Sequence, residues 1–375
     1  MKEKCEAGAV NATASRRAVI GGLASAAAVA VTPAAAWPAL PQLAAREPIG
    51  IQVAADLDVA AVDMHSHAGG GISRASSGHY DVAKRMQQGS FDVVTLSLIA
   101  DLPVLRREGI RTSAVRKPGP GELYKHVTEQ LAVVHDMIAK QKFIHVLTPA
   151  DVEAAKTQKR PGLIIAVEGA DFLEGKIDRL KWAHGRGVRH VQLVHYRVNE
   201  LGDIQTEDPV HNGLTAFGAD VVRECNRLGM IVDVAHASLA TTAKAAEVSK
   251  APLLMSHGGI SPQSRPKSRM MSPDHARIVV QSGGVIGLWP NGFIFPKMSV
   301  WLDYVARIAE RIGMDHIGIG TDMEGGIKEV FRNYTQFPEV VDGLMSRGFS
   351  KADVGKFAGG NHMRVFKAVA AATTA

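Results

Sequence analysis

Short apolar runs rich in β-branched residues recur along the chain. Each is closed by a polar or glycine-containing break, and most are followed by a stretch in which apolar residues return every three or four positions. Eight such runs are present: Val59–His67, Asp92–Ile99, Leu163–Gly169, His190–Tyr196, Ile231–Ala237, Pro252–Gly258, Gly284–Pro290 and His316–Met323. Between them the helical period picks out Gly121–Gln141, Asp178–Arg186, Thr215–Leu228, Leu239–Ser249, Asp274–Gln281 and Val300–Ile312. Strands alternating with helices imply a parallel sheet covered on both faces. Eight such units closing on themselves predict an α/β fold, the (β/α)8 TIM barrel, as one domain over residues 56–375. An open doubly wound sheet is the alternative, weakened because no G-x-G-x-x-G follows the first run. The segment 102–121 carries Arg106, Arg107, Arg111, Arg116 and Lys117 among proline and glycine, and reads either as a solvated loop or as the rim of an active site.

Residues 1–36 follow a different pattern. Arg16 and Arg17 precede an apolar stretch of alanine, glycine, leucine and valine, and Pro33-Ala34-Ala35-Ala36 supplies small residues for cleavage. This predicts a twin-arginine signal peptide that sends the protein to the periplasm or the medium. The apolar stretch is short and alanine-rich for a membrane span, so no stable insertion is expected after cleavage, an uncleaved anchor being the alternative. Residues 37–55, with Pro38, Pro41 and Pro48, read as an arm or linker. Cleavage after Ala36 would remove Cys5 and leave Cys225 as the sole thiol, which excludes an internal disulfide in the exported chain.

Composition narrows the chemistry further. A chain of 375 residues that is 46% hydrophobic can bury one large core. The net charge of +6 is spread without a basic block, and with aromatic content of only 5% nothing points to nucleic acid. Two cysteines are too few for a disulfide framework or a cysteine zinc site, whereas fifteen histidines invite a closer look at where they fall.

Chemistry in a (β/α)8 barrel sits at the carboxyl ends of the strands. The predicted strands end in His65 and His67, in Glu168, in His195, in His236, in His257 and in Asp322. His65 and His67 are two apart, so on one strand both imidazoles face the same point. Imidazoles and carboxylates without thiolate suit zinc first, with manganese, iron or cobalt as alternatives. Glu168 could bridge two metals about 3.5–4 Å apart, with His65 and His67 on one and His236 and His257 on the other, and so lower the pKa of a shared water. Asp322 could take that water's proton and deliver it to a leaving amine, and His195 could donate to an oxyanion.

These segments resemble the membrane (renal) dipeptidase family of zinc peptidases, members of the metal-dependent amidohydrolase barrels. The likeness runs from Asp63 to Arg364 through Val62-Asp63-Met64-His65, Ala166-Val167-Glu168-Gly169, Gly187 to His195, Gly213 to His236, Ser256-His257, Gly318 to Asp322 and Gly359-Gly360-Asn361, the stretch from Gly213 to His236 being the most specific. The resemblance implies that His65, His236 and His257 ligate zinc, that Glu168 bridges, and that His195 and Asp322 serve catalysis. It also implies that an arginine after the sixth strand holds the substrate carboxylate, for which Arg269 fits best and Arg265 second. Two zinc ions per chain, dipeptide substrates, tolerance of a C-terminal D-residue and pairing as a homodimer are further expectations of the same kind. One departure stands out: the family pattern has His-x-Asp on the first strand, and this chain has His65-Ser66-His67. A neutral ring for an anionic ligand leaves the cluster one charge more positive, which should acidify a bridging water and alter metal affinity. A tailoring enzyme for a secreted peptide metabolite, a hydrolase for other amides or lactones, and a non-catalytic binding protein are the competing readings.

Overall fold

The computed structural model describes residues 54, 56–69, 80–326 and 328–374, so the predicted leader and all but one residue of the predicted arm lie outside the described residues. Twelve strands follow in chain order. They are β1 Val62–Ser66, β2 Val93–Ile99, β3 Leu105–Glu108, β4 Arg111–Ala114, β5 Ile144–His145, β6 Gly162–Glu168, β7 Val188–Gln192, β8 Ile231–Asp233, β9 Leu254–Ile260, β10 Met270–Met271, β11 Val285–Leu288 and β12 Ile317–Ile319.

Each of the eight predicted runs overlaps one strand of a closed ring, ordered β1-β2-β6-β7-β8-β9-β11-β12 with parallel pairing throughout. Pairing of Asp233 with Leu254 joins β8 to β9, and pairing of Asp63 with Ile319 closes the ring, which excludes the open doubly wound sheet. Helices cover the outside, so β2, β6 and β9 are buried at every position and read as continuous apolar runs. The barrel is tightest around Ser256. A Cβ at Gly287 would lie 1.8 Å from its carbonyl oxygen and one at Gly320 1.9 Å, so only glycine fits at either place.

Six of the eight strands end earlier than their apolar runs, β2 ends with its run and β9 continues to Ile260; at β8 and β1 the cause is local. On β8 the Asp233 carboxylate accepts from the backbone N–H groups of Ala235 and Ser256, at 2.9 and 3.0 Å, and captures donors that would otherwise extend the ladder. The chain then turns, with Ala237 N–H donating to Val234 O. Asp63 does the same between β1 and β12, accepting from His65 N–H, Thr321 N–H and the Thr321 hydroxyl. The six predicted helices are present, within two residues at either end. Helices Val82–Gln88, Pro149–Thr157, Phe337–Met345, Lys351–Gly355 and Asn361–Ala371 were not foreseen. Segment 102–121 is an ordered antiparallel hairpin of β3 and β4, in which Glu108 pairs with Arg111 and Gly109 takes the left-handed φ of 63° that a two-residue turn needs.

Candidate metal centre and active site

Six barrel elements deliver their last polar residue to one point at the carboxyl end. His65 lies within β1 and His67 directly after it; Glu168 ends β6, and His257 lies in β9. His195, His236 and Asp322 each follow a strand by three residues, on the turns just described. His236 and Asp322 have left-handed backbones, with φ of 64° and 51°, a conformation that non-glycine residues hold only when their surroundings impose it. Gln205 N–H donates to His236 O, and Asp322 N–H donates to His65 O, which pins both.

The Glu168 carboxylate is the hub. Its Oε1 lies 3.4 Å from His236 Nε2, 3.4 Å from His195 Nε2, 3.5 Å from His65 Nε2 and 3.7 Å from His257 Nε2, while Oε2 lies 3.4 Å from His67 Nε2. Asp322 Oδ1 stands 3.3 Å from His67 Nε2 and 3.8 Å from His65 Nε2. All seven side chains are buried. Two groups of three share Glu168: His65 and His67 on one side, His236 and His257 on the other. The spacing of His65 Nε2 from His67 Nε2 is 3.2 Å, and of His236 Nε2 from His257 Nε2 3.1 Å.

Whether this cluster suits metal is decided by its outer hydrogen bonds. His67 Nδ1 faces the Ser97 carbonyl at 2.8 Å; a carbonyl only accepts, so Nδ1 carries the proton and Nε2 turns a lone pair inward. His195 Nδ1 likewise donates to Asp101 Oδ1 at 2.7 Å. Ser256 Oγ lies 3.2 Å from His65 Nδ1 and 3.1 Å from His257 Nδ1, and its two lone pairs can accept from both. Rings whose Nε2 lone pairs converge on a carboxylate form a donor set for a divalent cation; the Ser97 carbonyl fixes the required tautomer at His67, Ser256 Oγ is compatible with it at His65 and His257, and His236 Nδ1 has no hydrogen-bond partner among the described residues.

The electrostatics agree. Burial alone would raise the Glu168 carboxyl, but the surrounding imidazoles, His195 and His65 foremost, hold it well below its ordinary range. Burial drives His65 well toward its neutral form, whereas at His67 the Asp322 and Glu168 carboxylates overcome burial and lift the ring to about 10. Two rings so close share one positive charge, and a metal ion fits the place of that proton.

Arg269 immediately precedes β10, which runs back beside the end of β9 with Met270 opposite Gly259. The strand addition carries the guanidinium over the centre. Nη2 donates to His257 Nε2 at 3.2 Å and Nη1 to Gln205 Oε1 at 2.5 Å, with no carboxylate partner. Arg265 is exposed and lies outside the cavity lining. The cavity over the centre has a volume of about 650 Å³ and is lined by His67, Glu168, His195, His236, Arg269 and Asp322 at its floor. Leu105, Arg107, Ile110, Arg111 and Thr112 of the hairpin line it as well, so the segment 102–121 is an active-site rim.

The structure brings together every residue that the sequence singles out for the site except Arg265, and adds residues that orient them. Asp101, Ser97, Ser256 and Gln205 act by holding rings or the guanidinium in place; Ser256 stands in the Ser256-His257 segment without a role being legible there, and the other three stand in no spacing that a motif would reveal. The one available signal is position, since Asp101 and Ser256 flank predicted strand ends.

Comparison with known proteins adds the lineage. A family model described as membrane dipeptidase (Peptidase family M19) matches residues 52–375. Dipeptidase tcpJ of Claviceps purpurea is 30% identical over 306 residues, covering 78% of this chain and 70% of that protein. Dipeptidase aclJ of Aspergillus oryzae is 30% identical over 296 residues, covering 71% and 68%. Two solved structures share the fold. The probable dipeptidase PvdM of Pseudomonas aeruginosa superposes with a TM-score of 0.72 at 18% identity, over 86% of this chain and 98% of that one. A metallopeptidase of Rhodobacter sphaeroides, liganded with a phosphinate mimic of the dipeptide L-Ala-D-Ala, does so with a TM-score of 0.69 at 19% identity, over 83% and 99%. With the family model covering the whole barrel and the buried donor set in place, the chain belongs to the membrane dipeptidase family, peptidase family M19, and is a metallopeptidase of the hydrolase class.

Proposed function

We propose that the protein hydrolyses dipeptides with a free C-terminal carboxylate at a centre of two divalent metal ions, zinc by preference. His65, His67 and Glu168 would hold one ion and Glu168, His236 and His257 the other. The observation that carries this is the place of the Glu168 carboxylate between two pairs of imidazoles, its Oε2 facing His67 and its Oε1 facing His65, His236 and His257. Nitrogen and oxygen donors without thiolate favour zinc. When bound, such a pair supplies Lewis acidity and a water acidic enough to ionise near neutral pH.

The chain's own residues do the rest. Arg269 pairs with the substrate carboxylate through its planar fork, exchanging the neutral partners Gln205 and His257 for an anion. Asp322 Oδ1 takes a proton from the attacking water and passes it to the departing amine. His195, which Asp101 and Glu168 push toward its protonated form against burial, donates through Nδ1 to Asp101 and through Nε2 to the oxygen on which charge develops. Tolerance of a C-terminal D-residue belongs to the same proposal, supported by the L-Ala-D-Ala mimic held by the Rhodobacter sphaeroides protein. The twin-arginine pattern in residues 1–36 supports export to the periplasm or medium, and the family resemblance a homodimer.

The test is amino-acid release by the zinc-loaded protein from L,L and L,D dipeptides, with a chelated control. Chelator-sensitive cleavage, with two metals per chain, supports the proposal; no cleavage of any dipeptide by metal-loaded protein rejects it. A second reading, the same barrel acting on another amide, a lactone or a secreted peptide metabolite, is motivated by His67 in place of the family's anionic ligand.

A further inference from the structure

The cavity is much larger than its reactive floor, and its outer half has a different chemistry. Among the described residues seven large apolar side chains are well exposed, and three of these, Ile110, Phe293 and Ile294, line the mouth of this one cavity. Ile110 is 88% exposed at the tip of the β3–β4 hairpin, and Phe293 is 62% exposed in the segment after β11. Below them Leu102, Leu105 and Trp289 continue the apolar wall toward the metal centre. Grouped exposed apolar residues around a cleft mark a surface that ligand covers.

The charged groups fix what that ligand must be. Glu168 and Asp322 are the only carboxylates among the described lining residues, and both are at the floor. Rim cations are already engaged: Arg111 pairs with Glu207 at 2.8 Å, Lys267 with Asp208 at 2.8 Å, and Arg107 donates to the carbonyls of Gly109 and Gly326. The carboxylate of a dipeptide therefore finds Arg269 at the floor, and its amine finds no carboxylate at the rim among the described lining residues. A group that reaches the mouth meets Ile110, Phe293 and Ile294, the exposed apolar side chains there. A dipeptide with two small side chains leaves Ile110, Phe293 and Ile294 in water.

We infer that the preferred substrates are dipeptides bearing a large apolar group on one residue, which Ile110, Phe293 and Ile294 cover at the cavity mouth. This rests on the dipeptidase reading above. The experiment measures kcat/KM of the zinc-loaded enzyme for Ala-Ala and for two series in which leucine, phenylalanine or biphenylalanine replaces either alanine. The expected result is a rise of at least about tenfold from Ala-Ala to biphenylalanine at one of the two positions, carried mainly by KM. In the double variant Ile110→Ser, Phe293→Ser the ratio of large to small substrate should fall toward one. Both positions are exposed, so the substitutions remove no core packing, and an unaltered thermal transition verifies this. A ratio at or below one in both series overturns the inference while leaving the dipeptidase intact, as does a ratio that the double variant does not change. Failure to cleave any member, with metal bound, overturns both readings.

Discussion

At the scale of single residues, the two carboxylates outside the shared bridge have separable tasks. Asp322→Asn keeps the shape beside His67 but cannot accept a proton, so turnover should fall by at least about 10²-fold while the metal content per chain stays at the wild-type level. Retained activity would remove Asp322 from the mechanism. Asp101→Asn tests orientation instead. Asp101 Oδ2 accepts from Tyr196 N–H at 3.1 Å, which holds the amide oxygen of the variant there and turns its NH2 toward His195 Nδ1. The ring must then accept at Nδ1 and stay neutral, so Nε2 keeps its proton but loses the positive charge that strengthens its donation to the oxyanion. A positioning partner of this kind is worth about 10–100-fold, and the loss should appear in kcat with KM and bound metal little changed. If kcat is unaffected, the Asp101 contact is structural alone. His65-x-His67 was legible in the sequence because strand alternation makes two-residue spacing meaningful; Asp101 was not, because it lies 94 positions from His195 and the contact exists only after the barrel closes.

At the scale of elements, the barrel could be read from the chain because each strand is buried on both faces and so stands out as an apolar run. The helices that went unnoticed have weaker signatures. Pro149–Thr157 and Phe337–Met345 begin with proline at the first or second position, where the missing N–H costs nothing, and the second is interrupted by Gly343. The hairpin β3–β4 escaped because four of its eight positions are exposed and charged, with no alternation to betray a strand. Strand ends were overestimated where Asp63 and Asp233 take backbone donors from the ladder, an event that depends on side chains meeting across the ring. The seam at Ser256 offers a direct test of barrel packing. Gly287→Ala places a methyl against backbone that cannot move without displacing His257. Overpacking of this sort costs typically about 1–3 kcal/mol, and because Ser256 Oγ braces His65 and His257, metal affinity should fall with stability. Urea unfolding of the metal-free protein and a chelator competition assay measure the two effects; a variant as stable as wild type would refute the close approach.

At the scale of the whole molecule, stability against pH is set by buried groups that titrate differently in the folded and unfolded chain, and these oppose one another. His362 is buried with neither ring nitrogen bonded, and burial, then His190, pushes it down to about 3. His275 is pushed down to about 4 by burial and by Arg269. Burial raises Asp63 and Asp171 to about 6 in spite of their hydrogen bonds. For a histidine lowered on folding, the native state binds fewer protons than the unfolded state, so its contribution is complete above pH 6.5 and is lost as the pH falls toward the folded value. For a carboxyl raised on folding the native state binds more, and stability falls as the pH rises through the window from about 4 to 6. The overall profile therefore mixes signs, and a single substitution isolates one group. His362→Phe keeps a ring of similar size beside Phe366, whose centroid lies 6.0 Å away, and removes the titration. Relative to wild type the variant should gain about 1.4 kcal/mol per pH unit as the pH drops below 6.5. Urea unfolding of both proteins at pH 7, 6 and 5, in chelator so that proton-coupled metal release drops out, reads the difference directly. A difference that stays constant across the three pH values would show that His362 is protonated or solvated in the native barrel, and would leave His275, lowered in the same direction, to carry the acid sensitivity of the fold.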